Sequence, residues 1–224
     1  MEAIMNESGS GYDLCFSCVQ SGDVEALRRI LENDPDVAEA RDASGVSLLM
    51  QCLYRGRREM AETIAGRKKA LDLFEAAALG RADRLKERIG EGEAIDSRSA
   101  DGFTALHFAC FFGQPECARV LIEKGAAVDA VADNPMKVMP LHSAASARNL
   151  EAARLLLEHG APVDARQQAG WTAIHAAAQN GDRAMVELLL RHGADARMAN
   201  DEGKTAAMVA REKGHQGIAE LLEK

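Results

Sequence analysis

From residue 99 onward, apolar positions fall into short paired stretches with glycine between them. Leu106, Ala109 and Cys110 share one side of a stretch opened by Thr104, whose hydroxyl suits the N-cap of a helix. Gly113 follows at the point where the chain must turn, a task for a residue free to take positive φ. A second stretch at 151–158 places Ala152, Leu155 and Leu156 at helical spacing. Gly160 stops it, with His159 in the last turn, where a donor or cation faces the helix dipole favourably. The pattern predicts helix–turn–helix pairs, each followed by a turn such as 163–171 that leads into the next pair.

The pairs repeat. Thr104-Ala105-Leu106-His107, Met139-Pro140-Leu141-His142, Thr172-Ala173-Ile174-His175 and Thr205-Ala206-Ala207-Met208 superpose, with steps of 35, 33 and 33 between their fourth residues. Lys124-Gly125-Ala126, His159-Gly160-Ala161 and His192-Gly193-Ala194 keep the same steps of 35 and 33. Gly113, Gly181 and Gly214 share the phase, with Arg148 standing in once. Three markers on one period define a repeat architecture.

This pattern resembles the ankyrin repeat, whose hallmark is Thr-Pro-Leu-His, then an Ala pair, a Gly, and a Leu-Leu-x-x-Gly-Ala segment. The resemblance is close over 99–224. Extended backwards, the phase yields a third repeat in Phe74–Gly80 with Leu85–Gly92, a second in Ser47–Met50 with Gly56, and a degenerate first at Cys15–Gly22 with Val24–Leu31. The expected fold is an all-α ankyrin-repeat solenoid of about seven helix pairs with short finger-like turns. The expected organisation is a disordered N-terminus at 1–10 and a single domain at 11–224. Within it the repeats are degenerate at 11–98 and regular at 99–224, with a C-terminal cap at 200–224 whose Lys204, Arg211, Glu212 and Lys213 suit a face turned to water.

Two departures stand out. Gly56 and Gly80 lie only 24 residues apart, so the finger turn between the second and third repeats should be missing. The segment 133–139 carries two extra residues, and Lys137 takes the place of the usual turn glycine.

Composition narrows the function. Charged residues make up 28% of the 224-residue chain and aromatics only 4%, and the net charge is −8. An acidic chain is a poor default partner for nucleic acid or an anionic membrane. Apolar runs such as Leu155-Leu156-Leu157 are too short to span a bilayer, no secretory signal opens the sequence, and five irregularly spaced cysteines do not read as a disulfide framework. A cytoplasmic monomer is expected.

Candidate chemistry is sparse. Cys15 and Cys18 form a C-x-x-C that could serve a redox or metal site. No second ligand pair follows, and both fall on inward positions of a helix, so buried thiols are the favoured account. His107, His142 and His175 lie one repeat apart, too far to share an ion. The resemblance implies that they are structural, bonding backbone between repeats. No catalytic, metal or cofactor site is expected, and no enzyme. Residues 55–69 hold Arg55, Arg57, Arg58, Arg67, Lys68 and Lys69 against Glu59 and Glu62, a local +4 against −12 elsewhere. A solvated helix face is favoured there over an anion or acidic-partner patch.

The resemblance further implies a palm built from the first helices and a row of fingers. By phase, Tyr54/Arg55, Ala78/Leu79, Phe111/Phe112, Ser146/Ala147 and Gln179/Asn180 are palm pairs, and Phe103, Val138, Trp171 and Lys204 are finger-base residues. Five of the nine aromatics occupy such places, where the scaffold leaves side chains open. Exposed apolar clusters mark interaction sites. The expected function is therefore a protein–protein interaction module, a scaffold, adaptor or inhibitor, with an unknown protein or peptide inserting between Phe111 and Trp171. Tyr54, Leu79, Phe103, Phe112 and Val138 are expected to help line this site, with Arg55, Asp101 and Arg166 as its polar rim.

Overall fold

A computed structural model describes residues 11–223; the N-terminal ten residues, for which disorder is expected, lie outside it. The described residues form fourteen α-helices and no strand, joined by turns and two short 3-10 segments. The helices pair as seven repeats: α1 Gly11–Ser21 with α2 Val24–Asn33, α3 Leu48–Tyr54 with α4 Arg58–Ala65, and α5 Leu73–Leu79 with α6 Ala82–Gly90. Then come α7 Ala105–Phe111 with α8 Pro115–Glu123, and α9 Pro140–Ser146 with α10 Leu150–Glu158. The last two pairs are α11 Ala173–Asn180 with α12 Arg183–Arg191, and α13 Ala206–Glu212 with α14 Gln216–Leu222. The chain divides into two compact units, with the boundary between Glu75 and Ala76.

In the first unit α1 packs on α2 and α3, and α2 on α4. Asp23 caps α2 through Ala26 N–H (2.9 Å), and Ser47 caps α3 through Met50 N–H (3.3 Å). Leu27, Leu31, Leu48, Leu49, Met60 and Ile64 fill its core. Only residues 66–72 join α4 to α5, whereas fourteen residues separate α6 from α7, so the finger turn is missing where the spacing predicted.

In the second unit the first helices form one row, α7 against α9, α9 against α11 and α11 against α13. The second helices α6, α8, α10 and α12 form another. Small residues allow the close approach: Ala109, Ala144, Ala145, Ala177 and Ala210 are fully buried. Leu106, Leu121 and Leu156 are among its largest fully buried side chains.

The turn positions explain their residues. Gly113, Gly181 and Gly214 sit at φ 70°, 70° and 80°, and Arg148 takes φ 57° in the same column. Lys137 likewise takes φ 50° in the column of Gly102, Gly170 and Gly203. Some of these glycines are needed twice over. A Cβ on Gly80 would lie 2.3 Å from the amide of Gln114, and one on Gly181 would lie 2.6 Å from the His215 ring, because the next repeat lays a side chain across the turn.

Candidate functional site

A column of histidines sets the spacing of the fingers. The Nε2–H of His107 donates to Val138 O (3.0 Å), that of His142 to Ala165 O (2.9 Å), and that of His175 to Lys204 O (3.1 Å). The opposite nitrogen, Nδ1, accepts from the backbone N–H of Thr104, Met139 or Thr172 in its own repeat. Each ring is thus neutral, with one nitrogen donating and the other accepting. All three are buried, and desolvation pushes the pKa of each below 6.5, that of His107 to about 4.

The fingers are tied at their tips as well. Asp133 N–H donates to Gly102 O (2.8 Å), Gln168 N–H to Met136 O (2.9 Å), and Asp201 N–H to Ala169 O (3.0 Å). The inserted segment does not dangle: Asn134 bonds Asp101 O through its side chain (2.9 Å) and caps Met136 N–H (3.1 Å). The extra residues carry Met136 outward, where it is 45% exposed.

Between two of these fingers and the first-helix row lies a groove of about 360 Å³. Met136 and Val138 line it from one finger, and Gln167, Gln168, Ala169 and Trp171 from the next. Ser146, Ala176, Gln179 and Asn180 form its floor. Trp171 is half-buried, with its ring 5.7 Å from His175. Asn180 is committed to the scaffold, donating to Ala145 O and Ser146 O. The side chains of Gln168 and Gln179 and the indole N–H of Trp171 make no hydrogen bond among the described residues.

One repeat earlier the same positions are filled. Phe108, in the column of Ser143 and Ala176, packs edge-on to Phe103 (centroids 5.6 Å) and stacks with Phe112 (6.3 Å). Phe111 meets Phe112 edge-on at 5.2 Å and is 47% exposed. These rings form a self-packed wall with one exposed edge, and the open space lies beside Trp171.

The expected lining is therefore redistributed. Val138 and Trp171 meet in the groove, whereas Phe103 and Phe112 are half-buried in the wall. Leu79 needs correction: it is 2% exposed, so its palm position is closed to a partner, as the hydrophobic effect favours for a leucine that finds cover. Tyr54 and Arg55 are exposed on the first unit, where Arg55 bonds Gln51. Asp101 and Arg166 work within the finger stack: Asp101 accepts from Ser99 Oγ (2.6 Å), and Arg166 pairs with Asp201 (2.9 Å) and bonds Ala199 O. Phase alone misses Met136 and Gln168. Their signal is the two-residue insertion, which marks a distinctive finger without saying which side chains it brings to the groove.

The basic segment keeps Arg55, Arg58, Arg67 and Lys69 exposed, as a solvated face expects, but buries one of its cations. The Lys68 side chain is buried, only 2% exposed, and pairs with Glu39 (2.7 Å) and Glu75 (3.4 Å). Lys69 pairs with Asp36, Arg58 with Glu62, and Arg57 reaches across Gly22 to Gln20 O. Lys68 and Arg57 thus tie parts of the first unit to one another, while the other pairs lie at its surface. Of the C-x-x-C, Cys15 is buried and Cys18 partly so. Burial pushes the Cys15 thiol up to about 12, the opposite of what a nucleophile or metal ligand needs.

A family model described as ankyrin repeats (3 copies) matches residues 73–167 and 161–224, and one described as ankyrin repeats (many copies) matches 15–64. The chain belongs to the ankyrin repeat family. Among similar proteins, the Danio rerio "Ankyrin repeat and SAM domain-containing protein 6" is 28% identical over 57% of this chain and 19% of its own length. The Mus musculus "Protein phosphatase 1 regulatory subunit 27" is 35% identical over 34% of this chain and 55% of its own. The Homo sapiens "DNA-binding protein RFXANK" is 31% identical over 42% and 37%. The aligned region thus spans between about a fifth and just over half of these relatives. No helix among the described residues is long and apolar enough to cross a membrane.

Proposed function

We propose that this protein is a non-enzymatic binding module, acting in a reducing compartment such as the cytoplasm, and that its protein partner docks in the groove beside Trp171. Ankyrin repeats generally mediate protein–protein interaction, and a phosphatase regulatory subunit among the similar proteins fits a subunit that works by binding. The observation that carries the site is the half-buried Trp171 in an open groove, its indole N–H lacking an acceptor among the described residues. Trp, with a large apolar ring and a single polar N–H, is among the residues that most often anchor interfaces. Phe111, one repeat before Ser146 in the same column, adds an exposed apolar edge on the first-helix row.

Affinity capture from the source organism tests this. The native chain should retain specific proteins that Trp171→Ala and, separately, Gln168→Ala with Gln179→Ala fail to retain. Equal retention by all three, with helical circular dichroism unchanged, would remove the groove from consideration.

A further inference from the structure

The chemistry of the groove narrows its occupant, on the reading that it is the docking site of the module. We infer that it takes an uncharged polypeptide segment in extended conformation, held through its main chain and anchored by one bulky apolar side chain.

Charge points this way first. Charged residues make up 28% of the chain, yet none is among the ten that line the groove. A charged occupant would leave water for a site that offers it no countercharge, and that desolvation goes uncompensated. A neutral occupant meets no such cost.

The polar groups specify a main chain. Glutamine amides present an N–H donor beside a carbonyl acceptor, the same pair that a peptide group carries. Gln168 stands on the finger and Gln179 on α11, both with their amides unengaged among the described residues, and the indole N–H of Trp171 adds a donor. Gln167 also lines the groove and holds a buried side-chain oxygen with no donor among those residues. An extended main chain offers its N–H and C=O groups at regular intervals, so it can answer polar groups on both sides of one cleft. A helix has already spent its own on itself.

Size sets the anchor. A volume of about 360 Å³ lies near the lower end for a ligand site, enough for one large side chain and its flanking backbone. Met136, Val138 and Trp171 give that side chain an apolar bed.

The test pans the full chain against a phage-displayed library of random peptides, about twelve residues long, counter-selecting on Trp171→Ala. Recovered peptides should share an uncharged core around one aromatic or large aliphatic residue. Their affinity should change less than about twofold across a tenfold rise in salt, since no ion pair is screened. N-methylation of the peptide bonds flanking the anchor should weaken binding about tenfold, the scale of one well-placed hydrogen bond. Gln179→Lys, a change on an exposed side chain, should also lower affinity for these peptides.

Three results overturn the inference: a shared charged residue whose neutralisation abolishes binding, indifference to N-methylation, or no peptide that depends on Trp171. If protein capture is still lost in the groove variants, the site stands and only its assigned occupant is wrong. If capture survives those variants, the site itself is wrong.

Discussion

The backbone N–H of Gln168 donates to the carbonyl of Met136 at 2.9 Å, joining the tips of two successive fingers. Each of these residues also lines the groove, so one main-chain bond fixes the separation of its two finger walls. That makes backbone and side chain at position 168 separable by mutation.

Gln168→Pro deletes the donor. Gln167, with φ −100° and ψ −168°, already has the extended backbone that precedes proline comfortably. Unfolding in urea should show a loss of about 1 kcal/mol for Gln168→Pro and less than about 0.5 kcal/mol for Gln168→Ala. Equal stability of the two variants would mean the tie contributes nothing.

Lys137 and Gly102 occupy the same turn column, and opposite substitutions should have opposite effects. Lys137 holds φ 50°, so Lys137→Gly relieves backbone strain and should raise stability by about 0.5–1 kcal/mol. At Gly102, φ is 86° and an added Cβ would lie 2.3 Å from the backbone oxygen of Asp133. Gly102→Ala should therefore cost at least about 2 kcal/mol, read from the same urea curves.

Much of the scaffold can be read from the sequence, and these turns show why. A glycine column on a fixed period announces positive φ even where Lys137 or Arg148 replaces the glycine, because the backbone path must repeat. The recurring histidines carry their geometry in the same way. Leu79, Lys68 and Phe108 cannot be placed alike. Phase tells which way a side chain leaves its own helix, but not what its surroundings lay over it. The groove is half legible: Trp171 and Val138 follow from phase, while Met136 and Gln168 depend on where a two-residue insertion is anchored.

The buried histidines make stability depend on pH in a definite direction. Desolvation holds His107 neutral down to about pH 4, whereas the unfolded chain protonates it near 6.5. The unfolded state binds the extra proton in between, so this contribution is whole above pH 6.5 and lost as pH falls toward 4. For His107 the full span amounts to about 3 kcal/mol as an upper figure. His142 and His175 act in the same direction. The melting temperature should be level above neutrality and fall through that window, and the His107 ring resonances should not titrate between pH 8 and 5. Titration of that ring in the folded protein near its ordinary value would refute the assignment.

Glu75 should behave in the opposite sense. Desolvation, reinforced by Asp72, lifts its pKa despite Lys68 at 3.4 Å. A raised carboxyl pKa means the fold favours the protonated form, so this contribution diminishes as pH climbs through the folded pKa. Glu75→Gln cannot ionise, and Lys68 keeps Glu39 as its partner. The variant should match the native chain at pH 4 and equal or exceed it at pH 7. A native chain more stable by over about 1 kcal/mol at pH 7 would show that the ion pair outweighs desolvation.

The histidine bonds run from each repeat only to its immediate successor, like couplings in a row of railway carriages. Met208 stands at the matching place in the final pair and brings no ring nitrogen, so no further coupling of that kind leaves it. The α9–α10 and α11–α12 carriages are gripped on both sides, whereas α7–α8 and α13–α14 each have one such joint. Opening within the second unit should accordingly be rarest from α9 to α12, the doubly coupled stretch that holds the floor of the cleft, and amide exchange should be slowest there.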